Sequence, residues 1–507
     1  MTLLLALSSL ISRLLGLFRN HELANVFGTT PISDAYFAAF QVPDTLYRLL
    51  IFGAISASFV PLFLSLRKND SREAWAFVST VLNVFLAVVL LVGLIIFMFS
   101  EAITGFLYPA LPPETQALSA QLLRIMVLSP ILFTFSSIFA GVQNAFRSFW
   151  GFAMAPILYN AGIIFGILAL APRFGIQGVA YGVVLGAFLH AFIQGITAWR
   201  LGFHWNPLLI TWSQSMKKLF VTAVPRILSM ASVQINFFIE GVIATALLGG
   251  SLTVLRYAQD IQSFPIGVIG VSFAISSFSL VSQMAIEERH HHLAKYLRQK
   301  LNHILFLTVP AAFGLYALRE PLIELFLGGG SFGGEAVTST ARTLSVLCIG
   351  LIPAAVYPLI VRVFFAFHDT VWPFVISVSS VIINTLLALE LSKDMGVAGV
   401  GLASSISVTL AVLACGAVLR WKYLREGGFF SISYCFAFLV ASIVMTACLQ
   451  LILSGFTWSE RLIPLLLQLT GLVALGMLIY AGMMALLLKK QFLILLRELR
   501  REPASSP

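Results

Sequence analysis

The hydrophobic pattern of the chain is one of long unbroken runs rather than of alternation. Apolar stretches of roughly 20 residues, the length a helix needs to cross a bilayer, lie near residues 3–27, 35–65, 74–99, 118–143, 150–171, 176–199, 218–248, 254–284, 300–318, 338–366, 371–391, 397–419, 430–454 and 462–488. They predict fourteen transmembrane helices, with no connector long enough for a soluble domain. Runs of this length are helical in lipid because every backbone N–H and C=O must find its partner within the segment. The expected fold class is therefore all-α and polytopic.

Charge placement tests that count. Of the 507 residues 59% are hydrophobic and only 10% are charged, against about 25% in a soluble protein. With an even number of spans both termini share a side. The loops and tail of that side carry nineteen Lys and Arg residues, while the opposite loops carry only Arg173, Arg319, Lys393 and Arg461. Basic loops stay inside, so both termini are expected in the cytoplasm. The net charge of +10 thus reports orientation, not a nucleic-acid partner. The opening MTLLLALSSLIS lacks a basic flank and is not expected to be a cleaved signal peptide. Cys348, Cys415, Cys435 and Cys448 sit in apolar runs without metal-ligand spacing and read as small core residues.

Eight basic residues fall within or against spans: Arg13, Arg19, Arg48, Arg124, Arg226, Arg256, Arg342 and Arg362. All are arginine. A charge at the bilayer centre costs on the order of 3 kcal/mol, so each needs a partner. Arginine stays charged in low dielectric and offers a planar fork to phosphate or carboxylate, which suits a dehydrated phosphate better than a proton relay. The competing reading is local neutralisation. Asp44 with Arg48 and Arg256 with Asp260 are i,i+4 pairs, while Arg124, Arg342 and Arg362 lie near span ends and are expected to snorkel.

The chain also repeats itself at an offset near 221 residues. NAFRSFW (Asn144–Trp150) returns as FAFHDTVW (Phe365–Trp372), and FGIQGVAYG (Phe174–Gly182) as MGVAGVGLA (Met395–Ala403). GAISASF (Gly53–Phe59) has a counterpart in FAISSFS (Phe273–Ser279), and SRLL (Ser12–Leu15), at a slightly shorter offset, in PRIL (Pro225–Leu228). The expected organisation is two parallel six-helix lobes, residues 1–200 and 218–425. Two further spans over 430–490 are expected to form a lipid-tail groove, and an amphipathic basic tail over 491–507 is expected to lie on the anionic leaflet. Parallel repeats of this kind bind substrate between their halves near the midplane.

The opening SRLLGLFR, the segment DAYFAAFQVPDTLYRLL with the FVPLF that follows, and YAQDIQSFPIGVIGVSFA (Tyr257–Ala274) resemble the MurJ (MviN) family. That family comprises lipid II flippases of the multidrug/oligosaccharidyl-lipid/polysaccharide exporter superfamily. The resemblance covers nearly the whole chain. It implies a non-enzymatic transporter in the bacterial inner membrane that moves undecaprenyl-pyrophosphate-linked disaccharide pentapeptide outward by alternating access. By the same resemblance the cavity arginines fall on Arg13 and Arg19 and an aspartate on Asp34; Arg48, Arg256 and Asp260, at or beside departures from the family pattern, and Arg226, the counterpart of Arg13 in the repeat, complete the expected substrate-binding set. A bend at Gly16 is expected to turn Arg13 and Arg19, six residues apart, toward one cavity. Two family arginines are replaced here, by Tyr47 and Asp260, and the acids usual after them by Phe52 and Ser263.

No GxxxxGK[ST] phosphate loop is present, so ATP hydrolysis within this chain is excluded. GGGSFGG (Gly328–Gly334) reads as a flexible outer connector, and His290–His292 as a solvated surface rather than a metal site. A sodium site is implied by resemblance near Glu240, Asn384, Val400 and Ser404. Ala388 stands where the family carries a carboxylate, which leaves proton or membrane-potential coupling as alternatives. The expected partners are lipid II or a related polyprenyl-pyrophosphate glycolipid, the membrane and peptidoglycan synthesis enzymes, with the protein itself monomeric. The alternatives are a flippase for another polyprenyl-linked saccharide, a multidrug exporter of the same fold, and a silent scaffold. A cation exporter would favour carboxylates over arginines, and a scaffold has no use for charges at membrane depth.

Overall fold

The computed structural model describes residues 2–52, 59–424, 431–455, 462–489, 492, 493 and 495. The first half of the chain forms α1 (Thr2–Phe27), α2 (Pro31–Leu46), α3 (Phe59–Asn69), α4 (Ser71–Met98), α5 (Ser100–Leu107), α6 (Pro113–Met126), α7 (Leu128–Ala145), α8 (Trp150–Phe165), α9 (Ala171–Phe174), α10 (Ile176–Arg200) and α11 (Gln214–Thr245). The second forms α12 (Ser251–Pro265), α13 (Ser272–Ile286), α14 (His290–Ala317), α15 (Arg319–Leu327), α16 (Gly334–Ala366), α17 (Val371–Met395), α18 (Val397–Lys422), α19 (Ile432–Leu453) and α20 (Leu462–Leu488). Wider π-helical turns continue α2 at Tyr47–Phe52, α8 at Gly166–Leu170 and α12 at Ile266–Val271. Among the described residues there is no strand, only a bridge between Gly329 and Phe332.

Among the described residues ten helices, counting continuous pairs as one, are long and apolar enough to cross a membrane, or eleven if α14 and α15, bent by 78°, form one span. The expected spans near 3–27, 35–65 and 218–248 are helical over α1, α2–α3 and α11 but are not among the ten. Part of each lies outside the described residues: side chains at 1–4 and 6 of α1, at 224–226, 228–230 and 232 of α11, and the stretch 53–58 between α2 and α3.

The described chain forms two compact units, Met1–Thr253 with Phe326–Gly333, and Val254–Leu325 with Gly334–Pro507. Helix α11, which the repeat assigns to the second copy, belongs to the first unit. There Phe220 stacks on Phe85 at 5.9 Å, and Thr45 donates to Gln234 at 3.4 Å. Most of the basic tail, and the connectors over 425–430 and 456–461, lie outside the described residues.

The sequence repeat recurs in the backbone at an offset of 221. Helix α7 ends in a Schellman motif, with Ser148 N–H donating to Gln143 O and Arg147 held at φ 55°. Helix α16 ends identically, with Asp369 N–H donating to Phe364 O and His368 at φ 55°. Gly175 (φ 58°) and Gly396 (φ 59°) open α10 and α18 in the same way. A left-handed residue lets the helix C-terminus satisfy two orphan carbonyls. Its cost for a residue with a Cβ is roughly 1 kcal/mol, so two such residues at equivalent positions mark a turn imposed by the fold.

Packing in the first unit uses two devices. Phe59, Phe63, Phe77, Trp75 and Phe146 stack in succession, with ring centroids 5.2–6.2 Å apart, and the Arg67 guanidinium lies 3.9 Å over Phe146. Helices α8 and α10 cross on glycine: a Cβ on Gly162 would sit 2.4 Å from the Gly186 Cα. Such close backbone approach supplies the dispersion contacts that associate helices where no hydrophobic effect operates.

Candidate functional site

The site is built on α1. Arg19 is partly buried, and its guanidinium is held by two amides: Nε and Nη2 donate to Asn20 Oδ1 at 3.1 and 2.9 Å, and Nη1 to Asn160 Oδ1 at 3.3 Å. Among the described residues Arg19 makes no ion pair, so its charge is oriented but not neutralised. Asn160, in α8, donates through Nδ2 to Ser12 O at 3.2 Å, Ser12 Oγ at 3.3 Å and Pro156 O at 3.1 Å. Arg13, one residue beyond Ser12, is also partly buried. Because α1 is helical from Thr2 to Phe27, the six-residue spacing turns Arg13 and Arg19 by about 240° about the axis. Gly16, between them, leaves room for α8: a Cβ there would lie 3.9 Å from Asn160 Oδ1.

Asp34 is 1% exposed. Its carboxylate accepts three hydrogen bonds from the start of α12: Gly250 N–H to Oδ2 at 2.7 Å, Thr253 N–H to Oδ1 at 2.8 Å and Thr253 Oγ1–H to Oδ1 at 2.7 Å. These partners belong to a helix N-terminus, where unpaired N–H groups and the macrodipole both favour an anion. The same end of the unit holds the glycine-rich segment expected to be a flexible connector. Ser331 N–H donates to Asn25 O at 2.8 Å and Ser331 Oγ to Val26 O at 3.1 Å, filling orphan carbonyls of the last turn of α1. Gly330 takes φ +52°, and a Cβ on it would lie 2.0 Å from Asn25 Oδ1. The segment is docked because its glycines permit left-handed backbone against another chain segment. A glycine run read by composition alone signals only flexibility.

The other candidates fall as follows. Arg48 is exposed and pairs with Asp44 at 2.7 Å, the i,i+4 pair read from the sequence. Arg124 pairs with Glu101 at 3.0 Å. Arg226 lies within α11, and its side chain is outside the described residues. Arg256 donates to Gln259 Oε1 at 2.9 Å, and Asp260 is exposed one turn from it. Glu240 is 1% exposed and accepts from Asn236 Nδ2 at 2.8 Å. Asn384 and Val400 are buried, and Ser404 is partly buried. Glu240 belongs to the first compact unit and these three to the second. Among the described residues no three His, Cys, Asp or Glu side chains cluster as metal ligands, and His290–His292 are exposed. Sequence reasoning missed Asn160, Thr253 and Ser331. Only Asn160 carried a signal, as a buried amide deep in the apolar run WGFAMAPILYNAGIIF.

Comparison with known proteins follows the same lines. A family model described as "Lipid II flippase MurJ" matches residues 23–492. A probable lipid II flippase MurJ from Rhizobium meliloti is 28% identical over 82% of this chain and 79% of its own length. One from Thermotoga maritima is 27% identical over 90% and 91%. A solved structure titled as lipid II flippase MurJ in an inward closed conformation superposes with TM-score 0.81 at 25% identity, covering 98% of this chain and all of that one. An inward-facing MATE-family transporter of the MOP superfamily shares the fold, with TM-score 0.66 at 16% identity.

Proposed function

Because the chain belongs to the lipid II flippase MurJ family, we propose that it carries lipid II from the inner to the outer leaflet of the bacterial cytoplasmic membrane. The proposed path is a central cavity lined by Arg13 and Arg19, with Arg48, Arg226 and Arg256 contributing, between two six-helix lobes of a fourteen-span protein whose termini are cytoplasmic. Lipid II presents a pyrophosphate that must cross an apolar slab about 30 Å thick. Its hydration is replaced by charge-assisted hydrogen bonds from arginine. A phosphate oxygen about 4 Å from a guanidinium gains on the order of 4 kcal/mol at an effective dielectric constant near 20. The observation that carries this reading is Arg19, a cation held by amides and, among the described residues, neutralised by no carboxylate.

Alternating access requires an outer closure that opens. The Asp34 contacts with the first turn of α12 and the Ser331 contacts with the end of α1 are proposed as that closure. Coupling through a cation at Glu240, Asn384, Val400 and Ser404, or through the membrane potential, is a separate proposal. The replaced family arginines at Tyr47 and Asp260 favour a second reading, a flippase for a different polyprenyl-linked saccharide.

The test is complementation of a conditional lipid II flippase strain. Wild type is expected to rescue growth, while Arg13→Ala and Arg19→Ala, expressed to the same level, fail. A well-expressed wild type that does not rescue rejects lipid II as cargo, and rescue by both variants rejects the arginine path.

A further inference from the structure

We propose that Asn160 is a positioning residue for cargo binding: it fixes the Arg19 guanidinium for a pyrophosphate by holding it with a neutral acceptor. The proposal rests on the reading of Arg19 as part of the phosphate receptor and adds a residue on a different helix to it.

An amide at membrane depth in an otherwise apolar helix is costly unless its hydrogen bonds are made. Those of Asn160 are made in one direction only. Ser12 O and Pro156 O accept and cannot donate, which forces Nδ2 toward them; Arg19 donates and cannot accept, which forces Oδ1 toward its Nη1. The chemistry of the partners therefore fixes the orientation. One side chain ties the backbone beside Arg13 to the head group of Arg19, so both arginines are referenced to α8. Asn20 takes Nε and Nη2. Three of the five guanidinium N–H groups are then engaged, and one on each terminal nitrogen is left for an incoming anion.

The choice of a neutral acceptor matters. A carboxylate at this place would hold Arg19 as firmly but cancel the charge that binds phosphate. The internal repeat shows that the fold itself does not ask for the amide. At the offset of 221 residues Asn160 corresponds to Val381, and Pro156 to Ser377, although the turns and glycine openings of the two copies agree. The first copy places an amide at this register and carries Arg19, whereas the buried amide of the second copy, Asn384, lies one turn further along α17.

The experiment is a double-mutant cycle on the full-length protein. Binding of undecaprenyl pyrophosphate is measured by native mass spectrometry, and flipping of labelled lipid II in vesicles of phosphatidylethanolamine and phosphatidylglycerol. Asn160→Ala is expected to weaken binding about 10-fold, and adding it to Arg19→Ala to change binding less than about twofold, because a group that acts only through Arg19 has no effect without it. The nearly isosteric Asn160→Asp is expected to lose at least as much as Asn160→Ala, whereas a packing role would make it milder. Multiplying losses in the double variant, wild-type binding by Asn160→Ala, or a harmless Asn160→Asp each overturn the inference, as does a folded wild type that does not bind undecaprenyl pyrophosphate. A wild type that binds that probe but does not flip lipid II rejects the cargo reading, while the cycle still decides the role of Asn160.

Discussion

If the carboxylate of Asp34 closes the outer end of the first unit, then Asp34→Asn, which preserves shape, should open it. The asparagine keeps an acceptor for Thr253 but turns an NH2 donor toward Gly250 N–H, now 2.7 Å from Asp34 Oδ2. One charge-assisted bond is lost, worth about 1.5–3 kcal/mol, and the two at Oδ1 fall to roughly half their strength as the charge disappears. A net loss of about 3 kcal/mol is a fair expectation, which is a factor of roughly 100 in the closed-to-open equilibrium.

The reporter is a cysteine at Ala38, which is 0% exposed in α2, in a chain whose four native cysteines are replaced. Labelling by a membrane-impermeant maleimide from the outer face reads the open population. Asp34→Asn is expected to label roughly 100-fold faster than its parent. A second reporter at Ala180, 0% exposed within α10, is expected to stay unlabelled, which separates opening from global unfolding. If Asp34→Asn labels Ala38→Cys at the parental rate while its Tm falls, Asp34 is a static helix cap and the closure is misassigned. If both reporters label together, the carboxylate holds the whole unit rather than a gate.

Two further predictions concern stability. Asp369, in the turn before α17, is 7% exposed. Burial pushes its pKa up, but hydrogen bonds from Lys422, Tyr423 and Trp372 N–H outweigh this and hold the carboxyl below 3.8. A lowered folded-state value means stability that is present above pH 3.8 and lost as pH falls through the lower value. Asp369→Asn should therefore lower Tm at neutral pH and flatten the acid limb of a Tm-against-pH curve, and an unchanged limb would refute the assignment. Gly162→Leu should fail to accumulate in membranes, since its Cβ alone would meet Gly186 Cα at 2.4 Å, whereas Gly471→Leu, with nothing within 4 Å of its Cβ, should express and melt like the parent.

Much of this was legible in the sequence because bilayer physics leaves few choices. Apolar length marks most helices. The local pair Arg48–Asp44 follows from helical spacing alone. What the sequence hid depends on chain segments far apart meeting. Asp34 reads as a charge that orients an arginine or gates the cavity, and its partners prove to be two backbone N–H groups and one hydroxyl some 216 and 219 residues away; backbone donors leave no trace in residue identity. The glycine run 328–334 was misleading for a related reason: the freedom that makes glycine a linker also lets it take φ +127° and +52° at Gly329 and Gly330, against Asn25. Asn160 lies between these cases. Its residue type is visible, but which of its neighbours needs an amide is not.

The repeat offers an internal control for separating fold from function. At 147/368 and 175/396 the two copies share backbone conformations that cost energy or require glycine, so selection for the turn itself accounts for them. The turns are then secured by different chemistry. In the first copy Arg67 lies 3.9 Å over the ring of Phe146. In the second, Phe367 stacks on Tyr423 at 4.2 Å, and Tyr423 and Lys422 both donate to Asp369. Even the closing residue of the last helix differs, Gly202 at φ +95° against Tyr423 at φ −120°. Securing a turn tolerates such exchange because either solution satisfies the same backbone. Asn160 against Val381 does not fit that pattern: at this register the second copy has an apolar residue, and α11 has no arginine in the place of Arg19. A difference between copies that is compensated belongs to the fold. One that tracks a charge with no ion pair among the described residues points, under the proposed role of Arg19, to the cargo, and by that criterion the α1–α8 contact is where the two copies stop being equivalent.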